Sequence, residues 1–300
     1  MAVGASTLNP LAGFTDEWRR PGRLHRLGHV ARQQPLGVFG LAVLLLFVFL
    51  GVFGPLISPY DPRELRTGPP LTGPSWDHFF GTNQLGQDMF SRVIAGARVS
   101  LIIASASVFI GAGSGCFLGI LGGYFGRWID TVVQRSGEAF GALPLLVIYF
   151  MLMAAFGQGI KTIIIAIGIG AMFGGNRVLR GITLSLRGTT FIEAARAAGC
   201  TEWRIFFRHA VPNVMPFVVL VLSGTLGGAI LAESGLAFLG LGVQPGTPSW
   251  GIDINKNISL ARLGYWYLVI FPGIAISVVV LAANFLGDSL RDVWDPRLRK

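Results

Sequence analysis

The stretch Glu193-Ala194-Ala195-Arg196-Ala197-Ala198-Gly199, continuing through Arg208-His209-Ala210-Val211-Pro212, decides how the rest of the chain is read. It is a polar island between two long apolar runs. Glu193 to Ala198 are residues of high helix propensity, and Gly199 is the type that ends a helix in the left-handed conformation. Thr201 then offers a capping oxygen to a second short helix, Glu202 to His209, in which Trp203, Ile205, Phe206 and Phe207 are interspersed with Arg204 and Arg208. Pro212 is expected to end that helix, because it lacks the N–H needed inside one. The prediction is a helix, a bend and a helix.

Composition places this island in a membrane protein. Of the 300 residues, 52% are hydrophobic and only 13% charged, and the mean hydropathy is +0.61, outside the range of soluble domains. The net charge of +9 would suggest nucleic acid in a soluble chain. In a membrane protein it reflects Lys and Arg collected in cytoplasmic loops, so no nucleic-acid partner is implied. Cys116 and Cys200 fall in unlike surroundings and are read as free thiols.

Outward from the island, uncharged runs define six spans. Residues 1–35 form a basic tail carrying Arg19, Arg20, Arg23, Arg26 and Arg32. Residues 36–57 form the first transmembrane helix, which at ~1.5 Å per residue matches a ~30 Å hydrocarbon core. It is too long for the core of a signal peptide. Residues 58–96, rich in proline, form an outer loop. A permease core then runs over 97–287, with spans at about 99–122, 139–160, 162–178, 213–233 and 265–287, the polar loop 179–212, and a closing tail 288–300. Gly111, Gly115, Gly119 and Gly123 recur every fourth residue, a seam that lets another helix approach closely. It reads equally as a moving interface or as static packing.

Six spans put both termini on one side. With that side inside, the cytoplasmic segments hold five, two, six and four Lys or Arg residues, against seven on the other side. The positive-inside rule therefore places both termini and the Glu193 island in the cytoplasm.

Glu-Ala-Ala, three residues, Gly, then a basic, His and Pro cluster resembles the EAA loop of the membrane subunits of ATP-binding-cassette (ABC) importers. Further motifs narrow the likeness. His78-Phe79-Phe80-Gly81-Thr82-Asn83-Gln84-Leu85-Gly86-Gln87-Asp88, Ala232-Glu233-Ser234-Gly235-Leu236-Ala237-Phe238-Leu239-Gly240-Leu241-Gly242 with Pro248-Ser249-Trp250-Gly251, and Leu286-Gly287-Asp288-Ser289-Leu290-Arg291-Asp292 resemble segments of the C-type partner in dipeptide, oligopeptide and nickel permeases. Gln87 stands where that family usually has Arg, and Val211 where it usually has Leu.

The resemblance implies an all-α membrane fold of six transmembrane helices, the type I ABC importer permease fold, in the bacterial cytoplasmic (inner) membrane. It implies that Glu193, Ala194, Ala195, Gly199, Arg208, His209 and Pro212 form the coupling element that docks on an ATPase subunit. The implied partners are a homologous B-type permease, two ABC ATPase domains, an extracytoplasmic solute-binding protein and membrane lipid. Gly86, Asp88 and Trp250, in the two outer loops, are candidate contacts for the binding protein.

No intrinsic catalysis is expected. The only lysines, Lys161, Lys256 and Lys300, have no preceding glycine, so there is no phosphate-cradling P-loop. ATP and Mg belong to partner subunits, and no cofactor or metal is assigned to this chain. His25, His29, His78 and His209 are too scattered for a metal cluster. Flipping a membrane unit from 1:99 to 99:1 needs ~5.5 kcal/mol, whereas an exposed ion pair at Glu193 supplies ~0–1 kcal/mol. The coupling contact is therefore expected to bury Ala195, Ala198 and apolar neighbours such as Phe191 and Ile192, with Glu193 orienting the helix. An ion-gradient-driven secondary transporter would need ionisable groups within the spans; Glu138, Glu233 and Asp288 are placed at span ends. A nickel permease of the same family is the alternative to di- or oligopeptide import.

Overall fold

The computed structural model describes residues 32, 34–244 and 246–294. Most of the tail 1–35, residues 295–300 of the closing tail, and Pro245 lie outside the described residues. The chain divides into a unit ending at Pro35 and a larger unit from Leu36. Regular structure among the described residues is helical: α1 (Pro35–Ile57), α2 (Met89–Phe125), α3 (Arg127–Gly141), α4 (Leu145–Phe156), α5 (Ile160–Arg187), α6 (Thr190–Ala197), α7 (Glu202–Phe238), α8 (Trp250–Ala261) and α9 (Tyr267–Trp294). Among them α1, α2, α5, α7 and α9 are long and apolar enough to cross a membrane, and α3 with α4 forms a pair bent by 89°.

Helix directions show how that pair counts. Gly111, Gly115 and Gly119 of α2 lie directly on the backbone of Gly168, Met172 and Asn176 of α5, where a Cβ would collide with the carbonyls, and Gly123 faces Arg180 and Thr183. Both rows advance by four residues in the same sense, so α2 and α5 run parallel. The chain must therefore cross back between them, and α3–α4 is a broken sixth span. The glycine seam is used in packing within the chain, against α5.

The remaining contacts alternate in direction. Gly37 and Gly40 of α1 meet Ser289 and Ala282 of α9, Gly51 and Gly54 meet Arg98 and Ile94 of α2, and Gly227 of α7 meets Asn284 of α9 while Gly287 of α9 meets Gly224 of α7. Each of these pairs is antiparallel. The start of α1, the end of α9 and the island around α6 share one side, and the loops 58–88 and 239–266 share the other.

Several helix ends depart from the sequence reading for local reasons. The second span starts at Met89 rather than residue 99, because the Asp88 carboxylate accepts the Ser91 N–H at 2.8 Å as an N-cap. Arg92, whose charge had excluded this turn, is neutralised by Asp253 of α8, which accepts from Nε at 3.0 Å and Nη2 at 2.7 Å. The third span is two helices: Pro144 supplies no N–H and disfavours a helical Leu143. Residues 123–138, left between the second and third expected spans, hold the end of α2 and most of α3. The fourth span continues past Arg177 to Arg187, and Asp130 of α3 accepts from Arg180 Nη2 at 2.6 Å.

Pro212 does not end a helix. The Val211 N–H reaches back to the Phe206 carbonyl, closing a π turn over Phe206–Ala210, and this register shift relieves the ring clash that a regular α-helix would impose at Pro212. The short helix and fifth span therefore merge into α7. Likewise α9 continues to Trp294, so residues 288–294 of the expected tail are helical.

Candidate functional site

The helix–bend–helix of the island is present between α5 and α7. Its first arm, α6, closes with the hydrogen bonds of a Schellman motif: Gly199 N–H donates to the Arg196 carbonyl at 3.0 Å and Cys200 N–H to the Ala195 carbonyl at 3.2 Å. Gly199 has φ +79°, the conformation that motif requires. Thr201 Oγ1 accepts from Arg204 N–H at 3.4 Å and opens the second arm. The two arms are then clamped, because Arg196 Nε donates to Glu202 Oε1 at 2.7 Å. Tyr124, in the last turn of α2, donates to Glu202 Oε2 at 2.7 Å.

Arg196 and Glu202 lie on the island and Tyr124 at the end of α2, and the charges of Arg196 and Glu202 are mutually set. Glu202 holds the Arg196 guanidinium above its ordinary value. Arg196, then the Tyr124 hydroxyl, hold the Glu202 carboxyl below its ordinary value. The elbow is thus a charged link with three members from α2, α6 and α7.

Under the elbow is an apolar root. Ile192, Ile205 and Phe206 are fully buried with Cys116, Ile120, Tyr124 and Leu179. Ile192 was expected to pack into a partner; it packs into this chain, because the i, i+3 spacing from Thr189 turns it toward α2 and α5 while Phe191 faces outward. Glu193, Ala194, Ala197 and Ala198 are exposed, and Ala195 is half-buried. Arg208 and Pro212 are exposed, and His209 is half-buried. Trp203 and Phe207 are also exposed and stack at 5.9 Å between centroids. The outward face of the elbow is therefore small residues on α6, flanked by aromatic and basic side chains.

On the opposite side, Gly86, Asp88 and Trp250 are all buried, which removes them as direct contacts for another protein. Gly86 takes φ +70° in a turn. Asp88 caps α2 and accepts from His78 Nδ1 at 2.9 Å, and Trp250 Nε1 donates to the Val93 carbonyl at 2.8 Å. They pack the loops onto the spans. Gln87, neutral where the family usually carries Arg, is buried and accepts from Asn83 at 2.9 Å and Arg92 at 3.3 Å.

Sequence reasoning missed Tyr124 and Glu202, which carry no motif, and misplaced Glu233. That carboxylate is 1% exposed, accepting from Ser100 at 2.9 Å and Ser249 at 3.1 Å. It joins α2, α7 and the segment before α8 rather than ending a span in solvent. Cys116 is buried and Cys200 half-buried, both free.

Comparison with known proteins agrees with this architecture. Residues 115–300 match the family model described as binding-protein-dependent transport system inner membrane component, and residues 29–74 match the N-terminal TM domain of oligopeptide transport permease C. The chain is similar to the dipeptide transport system permease protein DppC of Bacillus subtilis (strain 168), 34% identical over 98% of this chain and 89% of that protein. It is 37% identical to the glutathione transport system permease protein GsiD of Pectobacterium atrosepticum over 89% of each chain. Against the GsiD protein of Escherichia coli O157:H7 it is 36% identical over 95% of this chain and 93% of that one. The chain therefore belongs to the binding-protein-dependent transport system inner membrane components, as a C-type permease subunit of ABC importers.

Proposed function

We propose that this subunit imports di- or oligopeptides by alternating access driven through α6, with ATP hydrolysed on partner subunits. The carrying observation is the elbow's two-sided construction. Ile192, Ile205 and Phe206 root it in the spans, while Glu193, Ala194 and Ala198 face outward on a rigidly closed helix. A partner groove that covers this face gains small-residue packing that an exposed ion pair alone cannot match. Motion of α6 then reaches α5 and α7 through short links and α2 through Tyr124.

The island side is assigned to the cytoplasm, with both termini, because it holds most of the Lys and Arg. One coupling elbow per chain and two grooves in an ATPase dimer call for a second permease, assigned as a B-type homologue. An extracytoplasmic solute-binding protein delivers substrate to the opposite side. Peptide is favoured over nickel by the relatives named for dipeptide and glutathione, both short peptides. ATP and Mg are assigned to the ATPase subunits and no cofactor to this chain. Uptake of labelled dipeptide and of nickel, compared in a strain lacking this subunit and complemented with it, tests the assignment. Restored dipeptide uptake is expected, and restoration of nickel uptake alone contradicts it.

A further inference from the structure

At the end of the bundle opposite the elbow, α1, α2 and the loop that joins them enclose a cleft of about 480 Å³. Leu50 and Gly51 of α1 with Ala95, Arg98 and Val99 of α2 form its deep part, and Tyr60, Asp61 and Arg63 of the loop its outer part. The two helices meet closely there: a Cβ on Gly51 would lie 3.2 Å from the Cα of Arg98 and 3.6 Å from its Cβ. The stem of Arg98 is thus set against α1, while the residue as a whole is exposed. Its exposure therefore belongs to the guanidinium end. The loop above is held in place, because Tyr60 N–H donates to Ser91 Oγ at 3.3 Å and the Tyr60 ring packs on His78 at 4.9 Å between centroids.

Arg98 lies within a membrane span. It sits level with Gly51, about 9 Å short of the Ile57 end of α1 at ~1.5 Å per residue. An arginine at that depth extends its head toward the interface and takes an anionic partner. This chain supplies none: neither the Arg98 nor the Arg63 side chain makes a hydrogen bond or ion pair among the described residues. Asp61 is the one carboxylate lining the cleft, and its Oδ1 accepts from the Arg63 backbone N–H at 2.8 Å. Two guanidinium groups against one carboxylate leave the cleft positive. Among the candidate spans α1 is the least buried, at 22%, and Phe49, Val52, Phe53 and Leu56 on it are exposed. The cleft is thus at the edge of the bundle, with apolar walls at hydrocarbon depth and unpaired cations reaching the headgroup layer.

We propose that this cleft binds an anionic phospholipid, its phosphate accepting from the Arg98 and Arg63 guanidinium groups and an acyl chain lying along Leu50 and Val99. A phosphate diester suits both cations, because a guanidinium presents paired donors to its oxygens. The bound lipid then ties α1, α2 and their joining loop together at one end of the bundle. The site is independent of which solute the importer carries.

The test uses the whole importer complex in detergent, titrated with phosphatidylglycerol or phosphatidylcholine, with bound lipid counted by native mass spectrometry. Phosphatidylglycerol is expected to bind more tightly by about fivefold or more, since its headgroup lacks the compensating cation. Arg98→Gln should weaken it by about tenfold, with Arg98→Lys closer to wild type, and Arg63→Gln by about three- to fivefold. Asp61→Asn should tighten it, and Lys256→Gln, on an exposed cation outside the cleft, should leave it unchanged. Equal affinity for the two lipids, or unchanged phosphatidylglycerol binding in Arg98→Gln, overturns the site. Displacement of the lipid by inorganic phosphate at low millimolar concentration also overturns it, by making a free anion the ligand. Loss of the second permease from the Arg98→Gln complex with lipid binding intact does so too, by giving Arg98 a protein partner. If Arg98→Gln does not assemble, Arg63→Gln and Asp61→Asn, both on exposed residues, decide, and unchanged affinity in both overturns the site.

Discussion

Tyr124, at the end of α2, donates its hydroxyl at 2.7 Å to Glu202, the first residue of α7, and Glu202 also accepts from Arg196 of α6. A span that is remote in sequence is thereby tied to the elbow. Under the coupling proposed above, movement of α6 would reach α2 through this bond as well as its chain neighbours α5 and α7, with the glycine seam linking α5 to α2.

Tyr124→Phe keeps the buried ring and removes this one bond, a change of about 1 kcal/mol. The protein should reach the membrane at wild-type level, while substrate moved per ATP hydrolysed falls by about fivefold in reconstituted vesicles. An unchanged ratio would detach α2 from the coupling route.

Gly199 has open space around it but a φ of +79°, so the cost of a side chain there is one of backbone conformation. Gly199→Val should strain the elbow by about 1–2 kcal/mol and uncouple hydrolysis from uptake, with Gly199→Asn milder because Asn tolerates the left-handed region. Glu193→Ala should uncouple without strain. Paired uptake and ATPase assays check both, and wild-type coupling in Gly199→Val would contradict the role given to the bend.

Gly115 and Gly181 form a matched comparison. A Cβ at Gly115 would strike the Met172 carbonyl, whereas one at Gly181 meets nothing within 4 Å. Gly115→Ala should push α2 from α5 and cost about 1–3 kcal/mol, lowering the thermal midpoint of the purified complex. Gly181→Ala should leave the midpoint unchanged or raise it slightly.

Removing Arg92 leaves Asp253 buried without its counter-ion. Arg92→Met should cost about 3–5 kcal/mol, and Asp253→Leu added to it should restore much of that loss. Burial already pushes the Asp253 carboxyl above its ordinary value against the pull of Arg92. In Arg92→Met the raised folded-state value means that stability is greatest below ~pH 4 and is lost as pH rises through the folded pKa. Thermal melts of the single and double variants across pH read this directly.

What was legible in the sequence was local. Gly199, Thr201 and the Ala-rich stretch announce their turn, cap and helix through chemistry confined to a few residues, and long uncharged runs announce spans. What was hidden depends on partners distant in the chain. Arg92 looked too polar for a span because Asp253, which neutralises it, lies 161 positions away. Pro212 read as a stop because a π turn leaves no mark in composition. Asp88 and Trp250 read as surface residues because a cap and a buried indole are spelled with the same letters as a binding loop. Pro144, by contrast, was a visible breaker inside an uncharged run, and the run's length masked it.

The central claim is that α6 is driven by an ATP-hydrolysing partner from the cytoplasmic side. Its most direct test is cross-linking from Ala198→Cys, an exposed position on α6, in a Cys200→Ser background, to cysteines placed in the groove of the ATPase subunit. The account predicts a specific cross-link in inside-out vesicles whose yield changes with ATP, and no labelling of that cysteine by an impermeant maleimide in intact cells. Labelling from outside, with no cross-link to the ATPase, would contradict it.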